Sequence, residues 1–314
     1  MSSTIKSVAL ANAAIPENRN GGIALRLIAT LFFALMSLSV RLASVEAPTG
    51  QIVFWRSAVA LVPIVLYLAW RGQLRGGLRT NRPMGHLTRS LLGGAAMFFS
   101  FISLAHLPLV LATALGFLAP LLVVLAAILF LKERPGPVVV AASVAGFMGV
   151  IVMLWPAFEG PSLDRSTLIG VGAGIAMAVV TAAAKVQIKT LTATEAPGAI
   201  AFYFALVCSI LGLLTWPFGW ASPTNSALLA LVTSGLFGGL AHIAMTEGLA
   251  RAPASTLAPF EYTALLWAIL FDIIIFALLP TTLGLVGALL IVLAAMAVAF
   301  SDRLLFRRAA EARP

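Results

Sequence analysis

The chain has 314 residues, 61% of them hydrophobic and only 10% charged, with a mean hydropathy of +1.05. Soluble domains carry about 25% charged residues, so this composition excludes a soluble globular protein and indicates an integral membrane protein. The net charge of +9 does not indicate a nucleic-acid partner, because the basic residues lie between apolar runs rather than along one face, the pattern that orients membrane proteins.

Residues 1–21 are polar, lack a cleavable signal pattern and read as a short cytoplasmic tail. A membrane span takes about 20 apolar residues. In chain order, spans are predicted at 22–44, 50–70, 86–105, 109–131, 136–155, 166–189, 197–217, 226–250, 254–278 and 283–305, followed by a cytoplasmic tail from 306 to 314. Proline punctuates the connections, at Pro48, Pro83, Pro108, Pro135, Pro161, Pro197, Pro223, Pro253 and Pro280. Pro120 and Pro259 fall inside spans, where a kink frees backbone carbonyls to line a cavity. Trp70, Trp155 and Trp216 sit at span ends as interfacial anchors.

An even number of spans places both termini on one side. Most Lys and Arg residues cluster on the side that holds the N-terminus, and Arg56 lies within a span. The positive-inside rule then puts both termini in the cytoplasm, and the abundance of Ala and Arg suggests a bacterial inner membrane.

The second half echoes the first. Leu91-Leu92-Gly93-Gly94 corresponds to Leu236-Phe237-Gly238-Gly239, Pro108 to Pro253 and Pro135 to Pro280, while Glu46-Ala47-Pro48 corresponds to Glu195-Ala196-Pro197. A shift of nearly half the chain is an internal duplication. The expected fold is therefore an all-α membrane protein of ten transmembrane helices in two five-helix repeats, 22–155 and 166–305. Five is odd, so the second repeat is inverted, the arrangement by which carriers achieve alternating access.

Ionisable residues inside spans are costly and face a cavity or a partner. Helical rise places Glu261 and His242 each about 12 Å from the cytoplasmic face, within reach of each other across neighbouring helices. His242 and Glu261 are thus candidates for proton coupling. Arg56 and Asp272 lie at similar depth in the outer half and read as a structural ion pair. Lys185 is placed to pair with Glu247 or Glu261, or to snorkel to the interface. Two readings stand for this set: a polar pathway that recognises a zwitterion, or buried ion pairs that lock helices together. Aromatic clusters at Phe54-Trp55, Phe98-Phe99-Ser100-Phe101, Phe202-Tyr203-Phe204 and Phe260-Glu261-Tyr262 with Trp267 either stack on a substrate or pack against lipid and helices.

Cys208 is the only cysteine, so disulfides and cysteine metal sites are excluded. There is no phosphate-binding loop for ATP, no cofactor motif, no histidine–carboxylate spacing for a metal and no nucleophile elbow. An intramembrane enzyme would need a nucleophile–base pair or metal set among the spans, and none is evident. A non-transporting assembly subunit would have no use for duplicated halves with buried charges.

The paired repeats, the Phe-Leu-Lys-Glu-Arg-Pro run at 130–135, the later Gly146-Phe147-Met148-Gly149 and the Ala-Pro-Phe-Glu-Tyr run at 258–262 resemble the drug/metabolite transporter superfamily, and within it the EamA-type ten-helix carriers. The chain looks most like the YddG-type exporters of aromatic and other neutral amino acids. That resemblance implies a secondary transporter moving a small metabolite outward across the bacterial inner membrane, with the bilayer, a small-molecule substrate and possible proton coupling as its partners. It implies a central cavity and, helix by helix, substrate-binding roles for Met36, Ser37, Phe98, Phe99, Phe117, Lys185, His242, Glu261, Tyr262 and Trp267. The alternative within the superfamily is a drug or nucleotide-sugar carrier. A nucleotide sugar calls for clustered cations at the midplane, for which Arg56 and Lys185 are the expected candidates.

Overall fold

A computed structural model describes residues 18–74, 78, 80, 82–119, 121, 122, 125, 137–158, 164–191, 195, 197–252, 257 and 260–311. Its regular elements are helices: α1 (Arg19–Ala43), α2 (Thr49–Trp70), α3 (Pro83–His106), α4 (Leu109–Gly116), α5 (Pro137–Phe158), α6 (Arg165–Leu191), α7 (Pro197–Leu213), α8 (Asn225–Arg251), α9 (Thr263–Phe276) and α10 (Thr282–Glu311). Each falls in one of the ten expected segments. Among the described residues, six helical stretches are long and apolar enough to span a bilayer, and shorter apolar helices occupy 140–153, 263–276 and 282–297.

Proline sets several helix starts for a simple reason. It lacks the N–H that the first turn leaves unpaired, and its fixed φ suits that turn. Pro83, Pro137 and Pro197 open α3, α5 and α7, while Pro48 and Pro108 precede α2 and α4 as caps. Polar caps serve the other ends. The Asn18 side chain accepts from Gly21 N–H at 2.9 Å at the start of α1, and Thr224 Oγ1 accepts from Ala227 N–H at 3.4 Å at the start of α8. Two helices finish with a left-handed residue. Gly72 (φ 66°) follows α2, and Ala277 (φ 51°) follows α9, where Leu278 N–H reaches back to Asp272 C=O at 2.9 Å. That bond, one residue wider than a Schellman cap, satisfies one of the carbonyls left over in the last turns of α9. The expected features at Pro120, Pro135, Pro161, Pro253, Pro259 and the 130–135 run lie outside the described residues.

Contacts divide the chain into two compact units. Unit 1 is Met1–Phe101 with Ala184–Ala264, and unit 2 is Ile102–Ala183 with Leu265–Pro314. The boundaries fall within α3, α6 and α9, so neither unit coincides with a repeat. In unit 1, α8 packs against α1 and α2, and α2 packs against α7. Its buried apolar residues include Val40, Ile52, Val53, Leu68 and Leu231. In unit 2, α5 packs along α10 around Leu121 and Ile291. Gly149 and Gly287 meet there backbone to backbone, since a Cβ on Gly149 would stand 2.8 Å from Gly287 O. Without a hydrophobic driving force in lipid, such close small-residue contacts hold helices by dispersion. Each unit thus contains one helix packed on its own repeat equivalent, α2 on α7 and α5 on α10.

The duplication is also visible in side-chain chemistry. Glu46, just before α2, accepts from Thr224 N–H at 2.9 Å and Thr224 Oγ1 at 2.8 Å at the start of α8. Its counterpart Glu195, just before α7, lies 3.3 Å from His86 in the first turn of α3. Each copy ties the carboxylate ahead of its second helix to the start of the third helix of the other copy.

Candidate functional site

Polar groups run along unit 1 in three levels. At the C-terminal ends of α2 and α8, Glu247 gathers cations: Tyr67 donates its hydroxyl to the carboxylate, Arg251 donates to it from one turn away, and Arg71 Nη2 stands at 3.3 Å. Arg251 also donates to Glu247 C=O at 2.8 Å. At the opposite end of α2, Gln51 Nε2 donates to Ala221 C=O at 3.0 Å and Gln51 Oε1 accepts from Ala221 N–H at 3.1 Å. Close by in the chain, the Thr224 backbone N–H and then its hydroxyl hold the exposed Glu46 carboxyl below the usual carboxylate range.

Between these ends lies the third level. Arg56, only 4% exposed, sits seven residues into α2, about 10 Å along the helix. Its Nη2 lies 3.1 Å from His242 Nε2, and its Nε donates to Met36 Sδ at 3.5 Å. An arginine can only donate, so His242 accepts and is neutral at that nitrogen. Phe33 packs edge-on against the imidazole with ring centroids 5.4 Å apart, and Phe204 does so at 6.2 Å. Arg56 Cζ is 5.9 Å from the Phe204 centroid, and Arg89 Cζ from α3 is 3.9 Å from it. Such distances are in cation–π range.

Near the N-terminal half of α1, Arg26 forms an ion pair with Glu261, whose side chain remains 50% exposed. Thr30 and Thr263 hydroxyls meet at 2.8 Å beside it. A separate buried pair, His86 Nε2 with Glu195 Oε2, lies against the Tyr203 ring at 4.8 Å between centroids.

The expected residues divide as follows. Met36 and His242 come together around Arg56. Ser37 follows Met36 on α1, and Phe98 and Phe99 lie half-buried on α3 in the same unit. Tyr262 is half-buried next to Glu261. Phe117 and Trp267 belong to unit 2, where Trp267 Nε1 is buried without a hydrogen-bond partner. Lys185 lies on α6, and its side chain is outside those described.

One expected pairing differs from the structure. His242 bonds Arg56 rather than Glu261, and Glu261 takes Arg26. Glu247 is surrounded by Tyr67, Arg71 and Arg251, while the Lys185 side chain expected to pair with Glu247 or Glu261 lies outside those described. Arg56 and Asp272 fall in different units, and their expected ion pair stays an expectation. The Asp272 carboxylate, fully buried, accepts from Leu109 N–H at 3.0 Å and Val110 N–H at 2.8 Å. It caps α4, where free N–H groups and the helix dipole favour a negative charge. Depth along the membrane normal does not encode helical phase or a backbone partner, so the Asp272 contact with the start of α4 was not legible from depth.

Arg26 and Arg89 are the residues that sequence reading missed. Both lie near span ends and were counted with the charges that set orientation. The available signal was that each falls several residues inside its span, and that Arg89 stands four residues before Gly93. A helix places positions i and i+4 on one face. Among the described residues, no group of His, Cys, Asp and Glu is arranged to hold a metal ion.

Comparison with known proteins supplies the family. The EamA-like transporter family matches residues 20–155 and again 168–300. A riboflavin transporter of Rhizobium johnstonii is 29% identical over 86% of this chain and 87% of its own length. The pseudopaline exporter of Pseudomonas aeruginosa is 27% identical over 88% and 95%, and an S-adenosylmethionine uptake transporter of Rickettsia conorii is 28% identical over 88% and 90%. A crystal structure superposes with a TM-score of 0.64 over 92% of this chain and 99% of its own, at 22% identity, which supports the fold alone. The names of these relatives do not single out the amino-acid exporters that the sequence resembles. With the family matched over both halves and ten helices in the expected segments, this chain belongs to the EamA-like transporter family and is a multi-pass membrane carrier of small molecules, not an enzyme.

Proposed function

We propose that the chain exports a small amphipathic metabolite, with an aromatic or neutral amino acid as the first candidate, across the bacterial inner membrane by alternating access, both termini being cytoplasmic. The observation that carries this reading is the Arg56–His242–Met36 group with Arg89 and Phe204 beside it. It is a polar, cationic centre partway along spans that composition alone would make apolar. Intramembrane ionisable groups that do not lock one another in place mark substrate and ion pathways. Met36, Ser37, Phe98 and Phe99 on α1 and α3, and Tyr262 in the turn before α9, lie in the same unit and supply contact area in this reading. Phe117, Lys185 and Trp267 retain the roles that the resemblance implies.

Coupling is assigned to His242 and Glu261. Each is held by an arginine, Arg56 and Arg26 respectively, so protonation of either weakens a bond that ties two elements of unit 1. Outward transport follows the sequence resemblance, while the relatives include both an exporter and an uptake transporter by name.

The test is uptake of radiolabelled phenylalanine and other neutral amino acids into proteoliposomes, with and without a pH gradient, for wild type and Glu261→Gln. Saturable uptake that responds to the gradient and is lost in the variant supports both substrate and coupling. Uptake that ignores gradient and variant keeps the carrier and removes Glu261 from coupling. Absence of amino-acid uptake by a folded preparation contradicts the amino-acid reading and favours the drug or nucleotide-sugar alternative.

A further inference from the structure

Two guanidinium groups in unit 1 share one aromatic ring and have no counter-charge among the described residues. Arg89 Cζ stands 3.9 Å and Arg56 Cζ 5.9 Å from the Phe204 centroid. Arg56 donates to a neutral imidazole nitrogen and a thioether. Arg56 Nη1 and Arg89 Nε and Nη1 are buried without any hydrogen-bond partner. Among the described residues, no carboxylate lies within ion-pair distance of either. The acids with described side chains have partners elsewhere: Glu46 with Thr224, Asp164 with Ser166 and Thr167, Glu195 with His86, Glu247 with Tyr67, Arg71 and Arg251, Glu261 with Arg26, and Asp272 with the start of α4. Buried charges are normally paired, and buried N–H groups are normally bonded. Two cations that violate both rules side by side call for an anion from outside the chain.

The local sequence makes room for them. A Cβ on Gly93 would stand 2.7 Å from Arg89 Nη1 and 2.8 Å from Phe204 Cε2. A Cβ on Gly238 would stand 3.1 Å from Arg56 Nε and 3.2 Å from Met36 Sδ. Gly93 and Gly238 are the equivalent first glycines of the duplicated Gly-Gly pair. The strongest echo in the sequence therefore supplies, in each copy, the space beside one of the two guanidinium groups.

We propose that Arg56 and Arg89 form a binding site for an anionic group, a carboxylate or phosphate, of the transported molecule, and that this centre recognises no ammonium. Arginine forks bind such groups through paired N–H donors. The transport use of the site rests on the carrier reading; its anion binding does not. For an amino-acid-like ligand the carboxylate is held here and the amino group is not, so the corresponding oxo acid binds at least as tightly.

The experiment titrates the purified full chain in phosphatidylcholine nanodiscs with phenylpyruvate, phenylalanine or phenethylamine at constant ionic strength, reading thermal unfolding. Phenylpyruvate is expected to raise Tm saturably and at least as tightly as phenylalanine, with no response to phenethylamine. Arg89→Gln removes an uncompensated buried charge, so its ligand-free Tm is expected to equal or exceed that of wild type, while its phenylpyruvate affinity falls about tenfold or more. Arg89→Lys keeps a cation and recovers part of the response. The proposal is overturned by stabilisation with phenethylamine, by tighter binding of phenylalanine than phenylpyruvate, by no phenylpyruvate response in wild type, or by an unchanged response in a folded Arg89→Gln. Should Arg89→Gln not fold, the wild-type ligand series and Arg89→Lys decide. A parallel titration in discs containing phosphatidylglycerol separates the two sources of the anion. A response equal in both discs assigns the site to a small molecule, and a response lost in the acidic discs assigns it to a lipid headgroup. Failed amino-acid uptake in proteoliposomes alongside phenylpyruvate binding would count against the amino-acid reading alone.

Discussion

Two arginine groups in unit 1 contrast in their charge accounting. Around Glu247, at the ends of α2 and α8, Arg71 and Arg251 share one carboxylate and Tyr67 donates to it as well. Around Phe204, Arg56 and Arg89 have a ring, an imidazole and a sulfur, and no described carboxylate. The first group is complete within the protein and serves helix packing. The second is complete only with something added. Burial of charge alone therefore does not separate structure from function in this chain; whether the counter-charge is internal does.

Opposite responses to neutralisation give the largest test of that contrast. Glu247→Gln leaves two partly buried arginines without their anion, and about 1–3 kcal/mol of stability is expected to be lost, read as a lower Tm in detergent. Arg89→Gln removes one of two mutually repelling cations and is expected to stabilise the ligand-free protein by about 1 kcal/mol. Equal destabilisation by both would erase the distinction. A smaller effect is expected from Gly238→Ala. The new methyl must displace the Arg56 side chain or Met36 by a few tenths of an ångström, so a several-fold loss of phenylpyruvate affinity with little change in Tm is expected. An unchanged affinity would show that Arg56 is not held in position for the anion.

The smallest effect concerns Glu46, which is exposed and outside the spans. Its folded pKa lies below the ordinary carboxylate value because Thr224 donates to the charged form. Its contribution is thus present above the ordinary pKa and is lost as pH falls through the lowered one. In Glu46→Gln, unfolding is expected to lose that acid-side dependence and to match wild type only at low pH. A wild-type slope retained in the variant would assign it to other groups.

The fold was largely legible in the sequence. Apolar runs and proline positions placed most helix starts within three residues, as for 22–44 against Arg19–Ala43 and 226–250 against Asn225–Arg251. In the segment 254–278, Leu257, Phe260 and Glu261 are helical and α9 runs on from Thr263 after a turn at Tyr262. Less of the site was legible. Met36, Arg56 and His242 were all singled out, yet their mutual contact depends on helical phase, which depth along the membrane does not give. Arg89 was hidden by its position, since a basic residue near a span end reads as an orientation signal. The Asp272 contact was hidden for another reason: backbone N–H groups at a helix start leave no side-chain signature in the sequence.

The central claim, that Arg56 and Arg89 are completed by the transported molecule, is tested most directly by exchange. Proteoliposomes loaded with unlabelled phenylpyruvate would be placed in labelled phenylpyruvate, comparing wild type with Arg89→Gln at matched reconstitution. Saturable exchange in wild type, reduced tenfold or more in a folded Arg89→Gln, is the predicted result. Exchange of equal rate in both proteins, or none in folded wild type, would contradict it.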